Sequence, residues 1–166
     1  MLRPDLIVNA VHDLTPAVLD SHGIEGLMVD LDDTLVASKS VELASSFRDW
    51  LEQLQTAQVP LLILSNGHPE RVRHWSQELG VKGLALVGKP FWFAFRRGLA
   101  LLGTPASATA MVGDQLFTDV LGANLAGLKS VLVTPLSSGG LPHTRVLRRL
   151  ESRILKGGQD GRSLHR

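Results

Sequence analysis

Gly26-Leu27-Met28-Val29-Asp30-Leu31-Asp32-Asp33-Thr34 is the stretch on which the fold turns. Four uncharged residues run into an acid, and two further acids follow almost at once. A short apolar run that stops at a carboxylate reads as a buried strand whose end meets a polar site. If the strand continues through Asp30 and Asp32, their side chains point the same way.

The same pattern recurs downstream. Residues 60–65 form a second buried strand ending at Ser65, followed by Asn66 and Gly67. A third strand is expected over 84–87, with Lys89 just beyond it. Thr109–Gly113 reads as a fourth strand, ending at Asp114, and 130–133 as a fifth. Between them, apolar residues fall at helical spacing. Leu43, Phe47, Trp50, Leu51 and Leu54 mark a helix over 41–58, and Val72, Trp75 and Leu79 mark one over 69–79 with Gly80 as its stop. Further helices are expected over 91–102 and 117–126, with Gly122 and Ala123 as close-packing positions, and a basic amphipathic helix over 142–156. Thr104 is read as a cap with Pro105 at the first helical position, and His68 as a cap or surface group. Strands alternating with helices argue for a parallel sheet covered on both faces. The expectation is a three-layer α/β fold of one domain over 1–156, a five-stranded parallel sheet, and a flexible tail over 157–166.

Composition narrows the function. The chain has 166 residues, 44% hydrophobic and 20% charged, enough for one domain with its own core. With no cysteine there are no disulfides, thiolate metal sites or cysteine nucleophile. A net charge of +1 offers no global basic field, so a nucleic-acid partner is not expected. The opening lacks a basic region followed by a long apolar run, and no stretch approaches the ~20 residues of a membrane span. The expected location is cytoplasmic, with peripheral contact on the inner face of a membrane as an added expectation.

In open parallel sheets, ligands bind beyond the carboxyl ends of the strands. Asp30, Asp32 and Asp114 would meet there. A lone acid after a strand is usually a turn residue or a helix cap. Several acids converging with Ser65 and Lys89 are better explained by a phosphate and a hard cation. Clustered carboxylates repel, and Mg²⁺ relieves that with oxygen ligands. A carboxylate is also a competent nucleophile toward phosphorus. Asp30 is placed for that attack, and Asp32 for protonating the leaving oxygen and later activating water. Lys89 would neutralise phosphoryl oxygens, while Ser65 and the amides of Asn66 and Gly67 would hold them near a helix N-terminus. No GxSxG elbow surrounds Ser65, and no GxxxxGK[ST] loop is present.

Asp30-Leu31-Asp32-Asp33-Thr34 resembles the first motif, DxDx[TV], of the haloacid dehalogenase (HAD) superfamily. Residues 61–66 resemble its second motif, Lys89-Pro90 its third, and 113–119 its fourth, in the superfamily's order. The resemblance implies a Rossmann-like fold and a Mg²⁺-dependent phosphatase working through an aspartyl-phosphate. It assigns Asp30 as nucleophile and Asp32 as acid/base. Asp30, Asp32 (through its carbonyl) and Asp114 become metal ligands, with Asp119 and Thr34 in support. The phrases Leu64-Ser65-Asn66-Gly67, Gly88-Lys89-Pro90 and residues 113–124 are similar to the YqeG-like branch of subfamily IIIA. That branch is itself similar to phosphatidylglycerophosphate phosphatases. Asp33 stands where relatives often carry Asn.

Neither the 34–41 gap nor the 65–89 gap has room for a cap domain, so the site is expected to be open to a large substrate such as a phospholipid headgroup. An oligomer partner supplying a lid is another reading, and the oligomeric state is not legible. Residues 91–97 combine aromatics with Arg96 and Arg97, a composition suited to a membrane interface. Phe91 and Phe95 are assigned to the packed face and Trp92 to the surface. From His143 to Arg166 there are seven Lys/Arg against two Asp/Glu, which suits attraction to anionic lipid. The alternatives are a soluble phosphate ester or phosphoprotein as substrate, or a non-catalytic interaction module on the same scaffold.

Overall fold

The computed structural model describes residues 1–37 and 40–138. The expected helix over 142–156 and the tail over 157–166 lie outside the described residues.

The elements in chain order are β1 (Leu6–Val8), α1 (Pro16–Ser21), β2 (Gly26–Val29), α2 (Ser45–Thr56), β3 (Leu61–Leu64), α3 (Pro69–Leu79) and β4 (Lys82–Leu84), then α4 (Trp92–Leu102), β5 (Thr109–Gly113), α5 (Leu121–Ala126) and β6 (Lys129–Val133). A π-helical turn, Leu116–Val120, leads into α5. The strands form one parallel sheet in the order β1-β6-β5-β2-β3-β4. β2 is central: Val29 pairs with Ile63 on one side and Val112 on the other.

Alternation along the strands builds two cores. Leu27, Val29, Ile63, Ala110 and Val112 face α1, α2 and α3, where Leu19, Trp50, Leu54, Val72 and Trp75 are buried. Met28, Leu62, Leu64 and Met111 face the other way, against Ala94 and Phe95 of α4 and Ala123 of α5. Each large apolar side chain removed from water in this way contributes about 1.5–3 kcal/mol. The Trp50 indole N–H is buried with its partner, donating to the Leu14 carbonyl at 2.9 Å.

Several boundaries differ from expectation. Among the described residues the sheet has six strands, because Leu6–Val8 adds an edge strand to β6. Three residues are too few for a sequence pattern. Pairing is set by Asp5, whose carboxylate accepts from the Ser130 amide at 2.8 Å and whose amide donates to the Ser130 carbonyl at 2.9 Å. The third expected strand, 84–87, is instead Lys82–Leu84, because the chain leaves the ladder to turn back on the loop after β3. The Leu86 amide donates to the Gly67 carbonyl and the Val87 amide to the Ser65 carbonyl. α2 starts at Ser45, and Leu43 packs on the core from the preceding loop. Thr104 is not a cap. Its hydroxyl lies 2.7 Å from that of Thr109, and Pro105 precedes a single 3-10 turn, Ala106–Ala108. His68 does cap α3, its Nδ1 accepting from the Glu70 amide, with Pro69 at the first helical position.

Only residues 35–44 separate Thr34 from α2, and Ser65 to Lys89 holds α3, β4 and their connections, so neither interval has room for a cap domain. Among the described residues, no helix is long and apolar enough to cross a membrane.

Candidate active site

β2 lies between β3, which follows it in the chain, and β5, which comes later, so the strand order reverses beside it. That is where a doubly wound sheet opens a crevice. A cavity of about 180 Å³ occupies it, lined by Asp30, Asp32, Asp33, Ser65, Asn66, Gly67, Lys89, Asp114, Gln115 and Thr118. The Asp30 amide still donates to the Val112 carbonyl at 2.9 Å, so its backbone extends the β2–β5 ladder into the cavity. Asp114 follows β5, Ser65 follows β3, and Lys89 comes from the loop between β4 and α4.

Lys89 is buried between two carboxylates. Its Nζ lies 3.1 Å from Asp30 Oδ1 and 2.7 Å from Asp119 Oδ1. Burial alone would lower the ammonium's pKa, but the charges of Asp119 and Asp30 outweigh it and hold the pKa above the ordinary lysine value. Asp30 is pushed up to about 6, first by burial and also by Asp119, with Lys89 acting in the opposite direction. Asp114 is pushed up to about 7 by burial and by the nearby charges of Asp30, Asp119 and Asp33.

These acids fit a divalent cation. Asp30, Asp114 and Asp119 each place one carboxylate oxygen within 4.8 Å of the others. Asp114 Oδ1 is buried and, among the described residues, has no hydrogen-bond partner. An unpaired buried carboxylate oxygen is costly, and a hard cation is the partner that removes the cost. Asp119 is committed elsewhere, to Lys89 and to the Gln115 amide, where its Oδ2 accepts at 3.2 Å. Asp32's side chain is not part of the cluster. Its Oδ1 is 2.7 Å from Arg71 Nε.

The phosphate loop also differs in detail from expectation. The Gly67 amide donates to Ser65 Oγ at 2.9 Å. Ser65 therefore keeps its hydroxyl hydrogen as a donor. The Asn66 carboxamide clamps Lys89, accepting from its amide at 2.8 Å and donating to its carbonyl at 3.0 Å. Thr34 is buried behind the Asp32 turn. Asp33 adopts φ 62°, a left-handed conformation that Asp and Asn tolerate. Its Oδ1 accepts from the Ser137 amide and its carbonyl from the Leu136 amide, tying the turn after β6 to the site.

Arg71, the Asn66 carboxamide and Gly113 escaped the sequence reading. Arg71 lies off the Val72–Trp75–Leu79 stripe and looks solvated, since its partner is 39 residues away. Gly113 is the last residue of β5, and a Cβ there would overlap the Asp119 carboxylate. Trp92 is exposed as expected and Phe95 is buried. Phe91, assigned to the packed face, is 62% exposed. It precedes the first turn of α4 with ψ 140°, so the helical period does not reach it.

A family model described as HAD-hydrolase-like matches residues 86–136. The chain is 33% identical over 152 residues to a probable phosphatase, YqeG, of Bacillus subtilis, an alignment covering 92% of this chain and 88% of that one. It is 29% identical to phosphatidylglycerophosphate phosphatase 1 of Arabidopsis thaliana, covering 92% of this chain and 47% of that protein. Among solved structures, a HAD-like family hydrolase from Porphyromonas gingivalis is similar with a TM-score of 0.57 at 14% identity, over 75% of this chain and 98% of that one. A nearly end-to-end alignment to YqeG at 33% identity, on a parallel sheet whose strand ends gather these acids and this lysine, places the chain in the HAD-type phosphatases, in their YqeG-like branch.

Proposed function

We propose that the chain hydrolyses a phosphomonoester through a phosphorylated Asp30, and that the ester is the headgroup of phosphatidylglycerophosphate. The observation that carries the chemistry is the buried Asp30 carboxylate, ion-paired with Lys89 and set beside the unpartnered oxygen of Asp114.

In this reading Asp30 attacks phosphorus. Its Oδ–P bond forms as the P–O bond to the leaving group breaks, and Asp32 gives that oxygen its proton. Lys89 and the Ser65 hydroxyl offset the charge on the phosphoryl oxygens. Water then attacks the phosphorus, giving its proton to Asp32, and the P–O bond to Asp30 breaks to release inorganic phosphate. Asp30, Asp114 and the Asp32 carbonyl would hold Mg²⁺, which supplies charge neutralisation at the phosphoryl group when bound. Asp119 holds Lys89 in place.

The lipid substrate is supported by the similarity to the plant enzyme and by a set of exposed aromatics. Eight aromatics occur among the described residues. Phe47, Trp50, Trp75 and Phe95 are buried, while Phe91, Trp92, Phe93 and Phe117 are exposed. All four exposed ones lie close in sequence to residues that line the cavity. Phe91–Phe93 follow Lys89, Phe117 sits between the lining residues Gln115 and Thr118, and Arg96 lies over the Trp92 ring at 5.7 Å. Exposed aromatics beside an arginine suit the interface of an anionic membrane.

The test is phosphate release from phosphatidylglycerophosphate in mixed micelles with Mg²⁺, beside a soluble phosphate ester, for the wild type and Asp30→Asn. Much faster release from the lipid, lost by at least about 1,000-fold in Asp30→Asn, is expected. Release from the soluble ester alone would keep the chemistry and reject the lipid. Undiminished release by Asp30→Asn would reject the nucleophile.

A further inference from the structure

Arg71 makes contacts that its place on α3 does not explain. Its Nε donates to Asp32 Oδ1 at 2.7 Å, Nη1 to the Ser40 carbonyl at 3.1 Å, and Nη2 to the Ala37 carbonyl at 3.3 Å. All three nitrogens of a planar guanidinium therefore grip the turn that carries Asp32. Three such bonds fix the plane of the group as well as its position. Arg71 does not line the cavity. Among the described residues, its link to the cavity lining is Asp32.

The bond also distinguishes Asp32's two oxygens. Oδ1 is taken by Arg71. Oδ2 faces the phosphate loop: a Cβ built on Gly67 would lie 3.4 Å from Asp32 Oδ2 and 3.0 Å from Ser65 Oγ. A carboxylate held at one oxygen cannot rotate the other out of the cavity without breaking a charge-assisted bond.

We propose that Arg71 is a positioning residue that locks the Asp32 carboxyl so that Oδ2 delivers the proton to the departing oxygen. This rests on the reading of Asp32 as the acid. In the transfer, the proton moves from Asp32 Oδ2 to the leaving oxygen as the P–O bond breaks, and Asp32 is left as a carboxylate paired with Arg71. The guanidinium neither gains nor loses a proton.

The readout is the dependence on the leaving group. A p-nitrophenolate departs without a proton, whereas an alkoxide needs one. The quantity to measure is kcat/KM, which reports the first chemical step, for p-nitrophenyl phosphate and for an alkyl phosphate with Mg²⁺. Wild type, Arg71→Gln, Arg71→Lys, Asp32→Asn and the Arg71→Gln/Asp32→Asn double variant would be compared. Arg71→Gln is expected to lose on the order of 100-fold on the alkyl ester and less than about 5-fold on the aryl ester. Arg71→Lys, which keeps the charge but not the fork, should fall between wild type and Gln, and it serves as the test if Arg71→Gln does not fold. The double variant should lose no more on the alkyl ester than Asp32→Asn alone, because both remove one function. Equal losses on the two esters, or none on either, would overturn the proposal. If Asp32→Asn itself shows no bias between esters, the acid assignment fails and this proposal with it. If Asp32→Asn shows the bias and Arg71→Gln does not, only the role of Arg71 is rejected.

Discussion

Asp119 is fully buried, yet both its oxygens are used, one by Lys89 Nζ and one by the Gln115 amide. It fits there because residue 113 has no side chain: a Cβ at Gly113 would overlap the Asp119 carboxylate. A buried ammonium that loses one of two carboxylate partners is left poorly compensated. Gly113→Ala should therefore lower kcat by about 10-fold or more through displacement of Lys89. Overpacking should also cost about 1–3 kcal/mol of stability. Steady-state kinetics beside urea unfolding would check both. A variant with wild-type kcat would show that Asp119 can move without disturbing the lysine. At this scale the acids, Ser65 and Lys89 were legible, because each closes or follows an apolar run. The Gly113 contact was not, since a small residue at a strand end has no periodic signature.

α5 seats against α4 through Gly122. A Cβ there would meet the Phe95 ring at 2.5 Å and Pro90 Cα at 3.1 Å. Phe95 is fully buried and Pro90 follows Lys89, so the contact joins the second core to the loop that carries the lysine. Gly122→Ala is expected to cost about 1–3 kcal/mol, read as a lower urea midpoint with an unchanged slope. An unchanged midpoint would mean that α5 can slide away from α4. The helices were visible in their apolar spacing, and α3 runs over the residues that spacing marked, Pro69 to Leu79. Element ends were less legible where tertiary bonds set them. β4 stops at Leu84 because the next residues bond the loop after β3, and α4 starts after Phe91, leaving that ring exposed.

The whole molecule carries the electrostatic cost of its site. Asp30 and Asp114 have folded-state pKa values near 6 and 7, above the ordinary carboxylate value of 3.8. In that window the folded chain holds protons that the unfolded chain has released. Their contribution to stability is full below the ordinary value and is lost as pH rises through 6 and 7. The metal-free protein should therefore melt lower at pH 8 than at pH 5, by on the order of 5 °C. Mg²⁺ should raise Tm more at pH 8 than at pH 5, because binding displaces the same protons. Calorimetry across pH, with and without Mg²⁺ and with Asp114→Asn as control, checks this. A Tm independent of pH in that range would remove the burial argument for these acids.

The sequence by itself determined that strands alternate with helices and that Asp30, Ser65 and Asp114 stand at strand ends, with Lys89 beyond a further apolar run, as groups suited to phosphate chemistry. Those features depend on residue order alone: period 2 or 3.6 in apolar residues, and a polar residue where the run stops. Only the tertiary structure decided how these groups are shared out. Asp114 keeps an unpartnered oxygen, Asp119 is spent on Lys89, and Asp32 is gripped by Arg71 across 39 residues of chain. The edge strand β1 and the exposure of Phe91 were decided there too. The physical reason is that a buried charge takes its partner from whatever the fold brings within about 3 Å. That proximity is set by the parallel sheet and its crossovers, not by neighbours along the chain.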